Sequence, residues 1–363
     1  MSDASARKYV TVGFLFLVAG IVFLALSACE VPKSVFKDGL DVLGTSAEIV
    51  VVGLTDQQAT NAIRAVEKDL ERFDHIGYTL ESTGELHRLN EAISRNQAMT
   101  VSVELKGLIE EAVRLSSASN GLFNPAAGEL TALWEYECDK ADCTEAPYPE
   151  EIKKLVVEKA SEVISEQPSM DDLRFDGNEV TSRKTVVKLD LTDIMRGFAL
   201  DRGMEHLKEM GVENAMIFLG SGVRTLGRKG KKPWWLGVPL VGLQDHMIGT
   251  IESRGDEALV TVHAFDKSMG REGSVYRHVI DPRSGLPVKD TRSVTVIHRS
   301  ATVAGAAAVA LLINGREGWS DIADKMDVGS IMMITQDGTV YTSPKMEERI
   351  HWKQNLVHQH LVP

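Results

Sequence analysis

The segment His278-Val279-Ile280-Asp281-Pro282-Arg283-Ser284-Gly285 puts an imidazole just ahead of a tight turn. Imidazole is the side chain best matched to accepting a proton near neutral pH, and a strand-to-turn segment holds it in place. A strand histidine facing solvent is the plainer alternative, since alternation along Tyr276 to Ile280 sets His278 opposite Arg277 and Val279. The turn needs no functional reason, with Asp281 at its first position, Pro282 next and Gly285 past its end. Arg283 suits a phosphate or an acid equally. A second candidate is Gly220-Ser221-Gly222, where bare backbone N–H groups can approach a phosphate, or where a strand simply ends in a tight turn. Asp190 and Asp201 suit helix capping or ion pairing as well as a site, and Trp134, Trp234 and Trp235 suit core or rim.

The elements that must position these residues alternate in type. Leu43 to Val52 is β-branched and strand-like, and Asp56 to Ile76 carries Ile63, Val66, Leu70 and Phe73 at helical spacing. Val103 to Ser119 repeats the helical pattern and stops at Asn120-Gly121. A charged helix is expected around Pro149 to Ile164, then short strands at Leu173 to Phe175, Glu179 to Thr181 and Val186 to Leu191. Met195 to Met210 reads as a helix closed by Gly211, followed by strands at Ala215 to Leu219, Trp234 to Pro239, Ile248 to Ile251 and Leu259 to His263. Tyr276 to Ile280 and Ser293 to His298 flank the turn, and an alanine-rich helix runs from Ala301 to Ile313. The fold class is therefore mixed α/β, in the α+β sense of antiparallel pairing in the second half, and with no repeat or linker it is one compact domain.

Composition narrows the partners. The chain has 363 residues, 43% hydrophobic and 25% charged, so it buries a substantial core and is not disordered. A net charge of -12 and a pI near 5.4, with no Lys/Arg stripe, exclude an electrostatic nucleic-acid binder.

Residues 1–28 read as a secretory signal: Arg7 and Lys8 precede an apolar run from Tyr9 to Leu26. Leu26-Ser27-Ala28-Cys29 resembles the bacterial lipobox, which makes the Cys29 thiol the lipidation site. The run, at about 18 residues, is also just long enough for a retained membrane span; either way the body lies outside the cytoplasm. Removal of Asp3, Arg7 and Lys8, a net +1, takes the charge from -12 to -13. The expected organisation is a lipid-anchored tether over residues 29–42, a domain over 43–343 and a tail over 344–363. Its location is the periplasmic face of a bacterial cell envelope, on the inner or outer membrane. Cys138 and Cys143 lie in a polar segment of an exported chain, which favours a local disulfide over a metal pair, as no His or Cys companion sits at ligand spacing.

Six segments in register resemble the ApbE-type FAD:protein FMN transferase family. They are Gly44-Thr45, Ser82-Thr83-Gly84-Glu85-Leu86 through Asn90, Gly121-Leu122-Phe123-Asn124-Pro125 to Trp134, Leu189 to Asp201, Gly220 to Gly227, and His278 to Pro287. The resemblance implies the family fold and a lipoprotein that splits FAD and places FMN, through a phosphoester, on a Thr or Ser of an envelope redox protein. It further implies that His278 is the base and that Thr83, Asp201, Gly220, Asp281 and Arg283 contact the cofactor.

The same alignment shows departures. Where the family reads ADALAT, with the aspartate and threonine holding Mg²⁺, this chain reads Ala304-Gly305-Ala306-Ala307-Ala308-Val309. Gly305 and Val309 have no side-chain oxygen for a hard cation, so the Mg²⁺ that the resemblance implies lacks its usual ligands. Thr192-Asp193 replaces paired glycines, Met195-Arg196 replaces Ala-Lys, Asn124 and Gly222 replace aspartates, and Val262-His263-Ala264 replaces Ser-Gly-Asp. The expectation is a preserved fold with an altered site, in which transfer persists or flavin or a redox-complex subunit is bound without it. Arg196 offers a fixed positive charge there and Asp193 a carboxylate.

Overall fold

In the computed structural model, residues 34–77, 84–141, 150–239, 247–266, 277–353 and 359–361 are described. Contacts separate Met1–Ser34 from the unit Val35–Pro363, to which all that follows belongs. That unit opens with a hairpin of β1 (Val35–Val42) and β2 (Thr45–Val52), joined by Leu43-Gly44 with φ of 52° and 65°. Two positive φ values make the turn twist with the strands, as two-residue hairpins require. Strand β1 occupies residues expected as tether. It is mostly exposed and carries Lys37, Asp38 and Asp41, the polar habit of an edge strand, which hydropathy alone does not distinguish from a linker.

The chain continues through α1 (Asp56–Gly77), α2 (Glu85–Ser94), β3 (Met99–Thr100), α3 (Val103–Ala118), α4 (Gly128–Ala141), α5 (Glu150–Glu166), β4 (Leu173–Asp176) and β5 (Glu179–Ser182). Next come α6 (Thr192–Glu209), β6 (Ala215–Leu219), β7 (Gly222–Leu226), β8 (Trp235–Pro239), β9 (Met247–Glu252), β10 (Glu257–His263), β11 (Phe265–Asp266), β12 (Arg277–His278), β13 (Ile280–Asp281), β14 (Leu286–Pro287) and β15 (Thr291–His298). The last elements are α7 (Ala301–Asn314), α8 (Trp319–Lys325), β16 (Ser330–Thr335), β17 (Val340–Thr342), α9 (Pro344–Glu347), β18 (Ile350–Trp352) and β19 (Gln359–Leu361).

Nine strands form the main sheet in the order β1-β2-β6-β7-β10-β15-β16-β17-β19, antiparallel except for β17 with β19. Strand β2 shows why the layers stack. Ile49 and Val51 join the core beneath the helices, while Val50 and Val52 join a second core under the small sheet β18-β9-β8. With both faces covered, the strand ends in an unbroken apolar run. Helix α7 is buried along Ala301 to Ile313, and its small side chains let α6 cross it closely. At Gly197 an added Cβ would stand 2.7 Å from the Ala301 carbonyl oxygen.

Two further expectations change. Val186 to Leu191 is no strand beyond a single bridge at Lys188. Its backbone is taken up by distant groups: the Asn90 amide bonds Leu189 N–H at 2.7 Å and Leu189 C=O at 2.9 Å, and Asp190 N–H donates to Pro125 C=O at 2.9 Å. The expected tail holds α9 and β18, with β18 pairing to β9, so the body continues past residue 343.

Candidate functional site

An open cleft lies where α6, α7, the 122–131 segment, the β6–β7 turn, the end of β10 and residues 279–282 meet. Two helical stripes form its walls. From α6 come Asp193, Arg196, Gly197 and Leu200; from α7 come Ala301, Gly305, Val309 and Ile313. Spacings of three, four and seven, and of four, eight and twelve, each place residues on one helical face. The α6 stripe is charged; the α7 stripe contains no side-chain oxygen or nitrogen at all. Formal charge along the whole lining comes from Asp190, Asp193 and Arg196, with His263 the one imidazole among the described lining residues.

Arg196 is oriented from behind. Its Nε and Nη2 donate to the Leu43 carbonyl at 3.3 and 3.1 Å, while Asp74 accepts the Leu43 N–H at 2.8 Å. The strained hairpin turn is thus pinned from α1 on one side and α6 on the other. Asp190 precedes α6 and accepts the amide of Thr192 at 3.0 Å and its hydroxyl at 2.7 Å. Opposite, Gly305 leaves space: an added Cβ would stand 3.6 Å from the Asp193 carbonyl oxygen, ordinary contact.

The expected site residues scatter around this cleft. Gly305 and Val309 line it, as do Ser221 and Gly222 of the glycine loop. Gly220 itself sits behind the lining with φ of 59°, its N–H bonded to Ser46 C=O at 3.1 Å, so it shapes the turn. Pro282 reaches the cleft, whereas its neighbours Asp281 and Arg283 hold each other, with Arg283 Nη2 2.8 Å and Nε 2.9 Å from the carboxylate. That bond raises the guanidinium pKa further above its ordinary value, and Asp281 C=O accepts Gly285 N–H at 2.8 Å to close the turn. Without a ligand, both residues are engaged in the turn.

Asp201, expected at the cofactor, is engaged within the frame. Its carboxylate accepts Ser300 Oγ at 2.6 Å, Ala301 N–H at 2.8 Å, Thr302 N–H at 3.0 Å, Thr302 Oγ1 at 2.6 Å and Arg224 Nε at 3.1 Å. It clamps the first turn of α7 to α6 and lies outside the cleft lining, satisfying backbone donors that a helix start leaves open. Trp134 and Trp234 are 3% exposed and bond carbonyls of Gly285 and Leu226, which makes them core, while Trp235, 50% exposed, lies on the small sheet against His351 and not in the cleft lining.

His278 pairs with Phe265 in the β11–β12 ladder, which brings its backbone to the cleft's rim beside Val279 and Ile280; its side chain is not among the described ones. Thr83, Cys29 and Cys143 lie outside the described residues, and Cys138 falls within α4, its side chain likewise undescribed. Thr261 was not anticipated. It lines the cleft at the end of β10 and its hydroxyl meets that of Thr295 at 2.9 Å. A β-branched run hides such a residue, since nothing local separates Thr261 from the valines beside it.

The α7 wall gives magnesium no side-chain oxygen, and the carboxylates of the lining are those of Asp190 and Asp193 on the other side. Among the described residues no three or more His, Cys, Asp or Glu side chains gather to hold a metal, and α7 offers none of the oxygen donors that a hard cation takes.

Comparison with known proteins follows the same lines. The profile of the ApbE family matches residues 43–333, and the chain belongs to that family. A Rhodobacter capsulatus protein named FAD:protein FMN transferase is 30% identical over 93% of this chain, which spans 61% of that protein's length. A Vibrio cholerae protein of the same name is 26% identical, the match covering 89% of this chain and 95% of the relative. In fold, the chain is similar to the ApbE protein of Thermotoga maritima, with a TM-score of 0.73 at 24% identity over 88% of this chain and 100% of that one.

Proposed function

We propose that this chain transfers FMN from FAD to a Thr or Ser hydroxyl of an envelope redox protein. The observation that carries the reading is convergence: segments far apart in sequence that resemble the family's motifs, around Phe123, Asp190, Arg196, Ser221 and Pro282, meet along one open cleft. The relatives named FAD:protein FMN transferase align over the same span.

The chemistry is a displacement at phosphorus. The acceptor oxygen forms a bond to the flavin-side phosphorus as the bridging P–O bond of the diphosphate breaks. AMP leaves with that electron pair, and the hydroxyl proton passes to a base, for which His278 at the cleft rim is the candidate. In this reading Arg196 and the backbone of Ser221 and Gly222, which line the cleft, hold the dinucleotide, and the apolar α7 stripe excludes water beside it. The lipid anchor at Cys29, the periplasmic location and the Cys138–Cys143 disulfide belong to this reading, since a flavin acceptor in the envelope requires its transferase there.

Incubating the protein with FAD, Mg²⁺ and a Thr-bearing acceptor protein should add one FMN to the acceptor's mass. No gain, beside an active relative in parallel, refutes transfer. The bare α7 stripe supports a second reading, flavin binding without transfer, and retained FAD binding in the absence of any mass gain would select it.

A further inference from the structure

We infer that the cleft holds a flavin dinucleotide without a divalent cation, Arg196 supplying the positive charge that faces the diphosphate. The inference rests on the flavin reading above and says what holds the ligand. A diphosphate carried into a partly enclosed cleft requires compensating charge or donors, because stripping water from an anion is costly. Usually a hard cation with oxygen ligands supplies them. Here the wall that faces α6 presents Ala301, Gly305, Val309 and Ile313, and none can ligate through its side chain.

The deficit is chemical and not steric. The space beside Gly305 accommodates a side chain, with the Asp193 carbonyl 3.6 Å and Val260 Cγ1 3.9 Å from an added Cβ. On the other wall, Arg196 contributes the one cationic side chain of the described lining. A guanidinium carries five N–H donors in a plane and keeps its charge at every pH the protein meets, so it binds phosphate oxygens in fixed directions. The Leu43 carbonyl, itself fixed by Asp74, holds Nε and Nη2, so the head group is set before any ligand arrives. Asp190 and Asp193 share the lining; the Asp190 carboxylate is engaged by the Thr192 amide and hydroxyl at 3.0 and 2.7 Å, which leaves Asp193 as the carboxylate whose charge the test below removes.

Titrating the full-length protein with FAD, followed by flavin fluorescence anisotropy, in EDTA and in excess Mg²⁺ tests this without any substitution. The two dissociation constants are expected to agree within about twofold, and a tenfold weakening in EDTA, about 1.4 kcal/mol, overturns the inference. Arg196→Gln should weaken binding by roughly tenfold or more in both buffers, the scale of a charge-assisted contact, with Arg196→Lys intermediate. Unchanged binding in a folded Arg196→Gln protein refutes Arg196 as the binding charge. Asp193→Asn should tighten binding by removing a like charge; a cation held between Asp193 and the diphosphate requires the reverse, and weaker, Mg²⁺-insensitive binding would show it. Cation-dependent binding defeats the inference and leaves the flavin reading standing, whereas no binding in either buffer defeats both.

Discussion

Two stretches of α7, one turn apart, treat polar chemistry in opposite ways. At its start, Ser300, Ala301 and Thr302 direct four donors onto Asp201, which also takes Arg224, and the Ser300 hydroxyl accepts Val303 N–H at 3.2 Å. At Gly305 and Val309 the helix faces the cleft with hydrocarbon and bare backbone. The first stretch fixes where the helix lies; the second decides what the cleft can bind. Position is therefore retained while the chemistry carried by that position is free to differ, because Asp201, Arg224, Ser300 and Thr302 lie outside the cleft lining and only Ala301 belongs to both.

The clamp should be the more fragile of the two. Asp201→Ala leaves the start of α7 without its acceptor and Arg224, 7% exposed in its side chain, without one of its acids. Breaking a buried charged network of this kind costs about 3–5 kcal/mol, read as a lower urea midpoint at unchanged slope. A loss under 1 kcal/mol would mean that packing alone holds α7.

Two glycines then sharpen the contrast. Gly197→Ala puts a Cβ 2.7 Å from the Ala301 carbonyl oxygen, a backbone atom that cannot swing aside, and should destabilise by about 1–3 kcal/mol. Gly305→Ala meets nothing closer than 3.6 Å and should be neutral or stabilising by up to about 1 kcal/mol, since alanine suits a helix interior better than glycine. Thermal unfolding of the two variants should move in different directions. Equal destabilisation would show that the cleft wall is as tightly packed as the crossing. Gly305→Asp with Val309→Thr, which supplies the absent oxygens, should leave stability nearly as it is and make FAD binding respond to Mg²⁺.

How much of this could be read in the chain depends on whether the reason was local. Helix α1 was legible to a residue or two because Ile63, Val66, Leu70 and Phe73 carry the period themselves. The helix carrying the α7 stripe was legible over Ala301 to Ile313, whereas the α6 stripe was not, since the helix was expected from Met195 and begins at Thr192, ahead of Asp193. That the two stripes face each other was not legible either, for it depends on Gly197 meeting Ala301 across more than a hundred residues. The β1 edge and the 186–191 segment failed for the same cause: one is made a strand by pairing with β2, the other is denied strand pairing by Asn90. Asp201 and the Asp281–Arg283 pair stood at motif positions, and motif position alone does not separate a residue that touches ligand from one that holds the frame.

The smallest expected effect lies at the exposed end of the clamp. Asp256 receives Arg224 Nη1 at 2.6 Å and Lys208 Nζ at 2.6 Å, with its side chain 46% exposed. Burial pushes its carboxyl pKa up, but the Lys208 and Arg224 contacts together outweigh that and leave it below the ordinary 3.8. A carboxyl depressed in the folded state adds stability that is complete above its unfolded value and disappears as the pH falls through the folded one. Exposure to water and salt keeps the gain below about 1 kcal/mol. Asp256→Asn should therefore cost little at pH 7, and the difference between variant and parent should shrink as the pH falls below about 4. Unfolding midpoints measured from pH 7 to 3 decide the matter: a loss at pH 7 as large as that of Asp201→Ala would make the clamp a single unit, whereas a small, acid-sensitive difference makes Asp256 its outer support.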